Sequence, residues 1–162
     1  MQAVAAMDMD GPVELDDLDR TVLWAMRSVA VGRLDCPSLR RAFVDLYGPG
    51  AADQILCALL VMVRLLSSRA AQGLRMHMPG ANAVSRDELL ILSALAVVQQ
   101  EARGDAVRRV PSELAELLGG GIDASLTSAF RYVADLLSDR GRRLSAPEAA
   151  PRRGVGTAAT VH

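Results

Sequence analysis

Residues 73–88, GLRMHMPGANAVSRDE, hold His77 between Met76 and Met78, the only histidine apart from the C-terminal His162. Thioether sulfur and imidazole nitrogen are soft and borderline ligands that suit Cu(I). With Cys36 brought in by the fold, Met76, His77 and Met78 would form a candidate metal site. Their spacing argues against it, because alternate residues of an extended segment point to opposite sides. The stretch therefore reads first as a connector. In that reading Met76 and Met78 cover the open end of a helical bundle while His77 faces water.

The remaining chemistry-bearing residues are few. Cys57 sits among Leu56, Ala58, Leu60 and Val61, far from the base or cation that holds a thiolate, and is expected to be buried. Cys36 precedes Pro37 at a helix start, where the helix dipole favours a thiolate; a packing or capping role is expected. The acidic run ELDDLD at 14–19 suits the first turn of a helix, and it reads as a solvated helix start rather than a cation site. Glycines 119–121 match no phosphate-binding loop, since the chain has no lysine to complete one. No nucleophile–base pair or carboxylate dyad stands at a useful spacing, so neither catalysis nor a cofactor is expected.

Composition narrows the function further. The chain has 162 residues and a formal net charge of −1, which suits one domain without a general pull toward nucleic acid or anionic lipid. All 18 basic residues are arginine, and aromatics make up only 3%, so the core is aliphatic. The N-terminal stretch carries six acids by Asp19 and no base before Arg20, the opposite of a signal peptide. The longest apolar run, ILCALLVMV at 55–63, has nine residues, whereas a membrane span takes about 20. A soluble cytoplasmic protein is expected.

These residues must be positioned by helices. Leu15, Leu18, Val22, Met26 and Val29 recur at helical spacing and stop at Gly32. A short helix follows from Pro37 to Gly48, with Leu39, Ala42, Phe43 and Leu46 inward. A third helix over about 51–72 is apolar on every face except at Arg64. Ser85 and Glu88 form a capping box for a fourth helix that runs to Gly104. Ser112 caps a short fifth, and Asp123 caps a sixth in which Leu126, Phe130, Val133 and Leu137 share a face. The fold class is all-α, a compact bundle of five to six helices over 13–141, with disordered tails at 1–12 and 142–162. Only LRMHM at 74–78 could read as a strand.

Two features bear on partners. Helices three and four carry more apolar surface than so small a bundle obviously covers, and monomers seldom expose patches beyond a few hundred Å². Leu59, Val63, Leu66, Leu90, Ala94 and Val97 are thus core or interface positions, and a homodimer is expected. Residues 112–137 also have the outline of a helix-turn-helix. Its second helix offers only Arg131 before Arg140, too few cations for a groove reader, so nucleic acid is not the expected partner. The oppositely charged ends read as solvated.

The succession TVLWAMRSVAVGRLDCPSLRRAFVDLYG, SRDELLILSAL and PSELAELLG, with the long apolar helix between, resembles small all-helical alphaproteobacterial proteins of unknown function. The resemblance covers about residues 20–140. It implies a compact helical cytoplasmic domain and assigns no activity. The reading that results is a non-enzymatic interaction or regulatory module that self-associates and binds through an apolar groove. A ligand- or metal-responsive protein using Met76, His77 and Met78 is the alternative, and a DNA-binding regulator a second.

Overall fold

The first apolar stripe becomes the inner face of α1 (Asp17–Ala30), where Leu15, Leu18, Val22, Met26 and Val29 are all buried. The helix stops at Gly32, whose φ of +71° lets Arg33 N–H reach back to the Ser28 carbonyl at 2.7 Å, a left-handed C-terminal cap. In this computed structural model, residues 13–101 and 111–145 are described. α2 (Pro37–Tyr47) starts on proline, whose missing N–H costs nothing in a first turn. It ends at Gly48 (φ +86°), which is also the residue before α3 (Pro49–Arg69).

α4 (Arg86–Glu101) begins at the expected capping box. Ser85 Oγ accepts Glu88 N–H at 3.2 Å, and Glu88 accepts Ser85 N–H at 2.8 Å. α5 (Pro111–Leu118) is separated from α6 (Ala124–Ser138) by the glycine run. Asp123 caps α6, accepting Leu126 N–H at 2.8 Å. Ser112, expected as the cap of α5, is instead the second residue of that helix. No strand occurs among the described residues, LRMHM included, and the fold is a compact all-α bundle.

α3 is the spine. It packs against α1, α2 and α6, while α6 also packs on α4. Ile55, Leu59, Met62 and Leu66 of α3 meet Met26, Leu39, Phe43, Leu92, Leu95, Leu126 and Val133 in one core. Among the described residues α3 is the one helix long and apolar enough, by length and composition, to cross a membrane. The expected six-helix order and inner faces are present, with Ala42 and Leu46 only half-buried.

The packed chain continues past the boundary read at residue 141. Leu144 is buried, and its N–H donates to Gln99 Oε1 at 2.9 Å. Arg142 lies over the Tyr47 ring, 5.7 Å from its centre. Of the ends expected to be disordered, 1–12 and 142–162, residues 1–12 and 146–162 lie outside the described residues, as does the end of helix four at Gly104.

Candidate functional site

The connector between α3 and α4 is organised by Glu88 rather than by the Met-His-Met run. Arg27 of α1 donates through Nε and Nη2 to the two Glu88 oxygens at 2.7 and 2.9 Å. The backbone N–H groups of His77 and Ser85 add one further hydrogen bond to each oxygen, at 2.9 and 2.8 Å. All four lone-pair sites of the carboxylate are thereby occupied. Arg27 also donates through Nη1 and Nη2 to the carbonyls of Ala81 and Ala83, each at 2.6 Å. Burial by itself would push the Glu88 carboxyl up, but the Arg27 hydrogen bond and the Ser85 and His77 N–H groups outweigh it and hold it below the usual range. The connector is thus laced to α1 through a closed, satisfied ion pair, an arrangement that specifies geometry rather than reactivity.

The candidate ligands are placed unequally around it. Met76 packs against the core while Met78 is 60% exposed, so the two methionines do not cover one end together. The reason is a turn. Pro79 and Gly80 (φ +89°) occupy its centre, and Ala81 N–H closes on the Met78 carbonyl at 3.1 Å. His77, expected to face water, is half-buried. Cys36 is partly buried against the core at the start of α2. No group of three or more His, Cys, Asp or Glu residues converges to hold a metal ion among the described residues.

Two further expectations are corrected. Cys57 is exposed, because its position on α3 falls on the one side the neighbouring helices leave open. The acidic run is not wholly solvated either. Glu14, Asp16 and Asp17 are exposed, but Asp19 is fully buried and accepts the backbone N–H and the hydroxyl of Ser145.

Of the six residues read as core or interface, Leu59, Val63, Leu66 and Ala94 lie in the core of the single chain, with Leu90 and Val97 half-buried. The open apolar surface lies elsewhere. α3 and α6 run antiparallel, since Arg69 at the end of α3 pairs with Asp123 at the start of α6 (2.7 Å), while Tyr47, just before α3, donates to the Leu137 carbonyl at 3.0 Å. Between them runs a groove of about 410 Å³ lined by Asp53, Gln54, Cys57, Ala58 and Val61 of α3 and by Ala129 and Tyr132 of α6. Val61 and Tyr132 are each 54% exposed. The one charged group lining the groove is Asp53, held bidentate by Arg40 of α2 at 2.8 and 2.9 Å. That hydrogen bond lowers the Asp53 carboxyl and raises the Arg40 guanidinium. A nucleophilic thiol needs an adjoining cation or base; beside Cys57 the lining offers the Asp53 carboxylate, which Arg40 already holds.

In the segment with a helix-turn-helix outline, α5 packs on α4, while α6 packs on α3 and α4. The segment's second helix, α6, turns Leu126, Phe130, Val133 and Leu137 into the core. No family model, no curated protein and no solved structure matches the chain.

Proposed function

We propose that the protein is a non-enzymatic helical interaction module that self-associates through the face between α3 and α6. The observation that carries this reading is the pairing of Val61 and Tyr132, two large side chains more than half exposed, across one apolar groove. Apolar surface left in water forgoes stabilisation that another molecule covering it would supply. Aromatic anchors ringed by apolar and small residues are the usual centre of a protein interface. The folded chain is expected to work in the cytoplasm, with no cofactor and no chemistry of its own.

Native mass spectrometry of the untagged protein tests the reading, because assembly size and bound ions appear in one spectrum. A metal-free dimer that grows with concentration is expected. A monomer at every concentration contradicts self-association, and a stoichiometric metal ion would favour the Met76–His77–Met78 segment instead.

A further inference from the structure

The exposed residues of α3 form a stripe whose charges are complementary to themselves. Asp53, Cys57, Val61 and Arg64 are exposed, and at helical pitch all four fall within about 80° of arc. The carboxylate stands at one end and the guanidinium at the other, some 16 Å apart along the axis, with the thiol and the valine between. Rotation about a two-fold axis places a surface against its own copy. An axis crossing α3 at the level of Ala58 and Leu59 sets Asp53 opposite Arg64 of the second copy and Cys57 opposite its Val61. Both pairings come from the same axis, within one residue. Neither would hold if the helices docked in parallel, because like charges would then meet.

From this complementarity we infer that two copies of the chain dock α3 against α3 in antiparallel register, with an Asp53–Arg64 ion pair at each end and Cys57 against Val61 on both sides of the axis. Tyr132 of α6 stands across the groove from Cys57 and Val61 and forms the apolar rim of the contact. Arg40 already donates to both Asp53 oxygens, so Arg64 of the second copy shares the carboxylate with it. From the α2 side Arg40 holds Asp53 and fixes the carboxylate that Arg64 of the second copy meets. The register rests on the self-association proposed above and adds a geometry to it.

Charge reversal separates the two. Arg64→Asp, a change at an exposed residue, places two carboxylates opposite each other and weakens the dimer by about tenfold or more, since like charges are costly across an interface. Asp53→Arg weakens it similarly, and on an Arg40→Ala background, which removes the guanidinium beside position 53, the double variant Asp53→Arg/Arg64→Asp returns dimerisation to within about threefold of that background. Circular dichroism checks that each variant is folded. Val61→Cys gives a second readout that needs no charge change. Under air oxidation, Cys57 of one copy and the new thiol of the other join two chains into a species of twice the mass, released by reductant.

Recovery in the double variant together with the Val61→Cys crosslink supports the register. A parent dimer indifferent to both single reversals, or a folded double variant that stays weakened, overturns the register and leaves self-association standing. A parent that is monomeric throughout overturns both.

Discussion

Glu88 accepts four hydrogen bonds and meets a guanidinium that is itself buried, with Arg27 3% and Glu88 0% exposed. Removing one partner leaves the other buried and uncompensated. Glu88→Ala should therefore cost about 3–5 kcal/mol by denaturant unfolding. The pair also has a pH signature. Because the folded-state carboxyl is held below its ordinary value, its stabilisation is complete above the unfolded glutamate pKa, roughly 4.3, and is lost as pH falls through the lower native value. Thermal melts between pH 7 and 3 should show this loss in the parent chain and a flatter profile in Glu88→Gln. Half of this cluster was legible in the sequence. Ser85 and Glu88 announce a capping box by spacing alone, whereas Arg27 gave a weaker sign, a charge on the apolar side of α1 one turn after Leu23. That it meets Glu88, 61 residues away, is a tertiary fact that no local pattern carries.

At the scale of elements, α3 shows how far periodicity reaches. Its centre is so apolar that no face stands out, and Cys57 was accordingly expected inside. Contact with α1, α2 and α6 leaves one side uncovered, and only packing determines which side that is. α1, α2 and α6, whose polar and apolar residues alternate at helical spacing, were readable directly. The junction of α5 and α6 gives the sharpest test of element packing. Gly119 has φ +64°, and a Cβ there would come within 2.6 Å of the Ala71 Cβ. Gly32 has a similar φ of +71° but open space around it. Gly32→Ala should cost about 1 kcal/mol, from backbone conformation alone. Gly119→Ala should cost clearly more, because the α3–α4 connector must also shift; chemical denaturation of the two variants side by side measures the difference.

Over the whole molecule, the chain beyond α6 acts as a strap. Arg142 lies on Tyr47 of α2, Leu144 inserts at Gln99 of α4, and Ser145 bonds Asp19 of α1, so three residues join three helices. Burial pushes the Tyr47 phenol up to about 12, with Arg142 lowering it and Asp139 raising it. The strap's composition, rich in arginine and followed by proline and alanine, gave no sign of this docking. A single leucine anchors it. Leu144→Ala should lower stability by about 2–4 kcal/mol, read as a fall in thermal midpoint.

The face between α3 and α6 is the remaining feature at this scale, and it carries the functional reading. Sedimentation equilibrium of the parent chain beside Val61→Glu tests it most directly, since Val61 is exposed and its replacement leaves the core untouched. The parent is expected to dimerise with concentration, and the Val61→Glu variant to stay monomeric with unchanged helix content. A monomeric parent, or a dimer that Val61→Glu does not disturb, would contradict the functional reading.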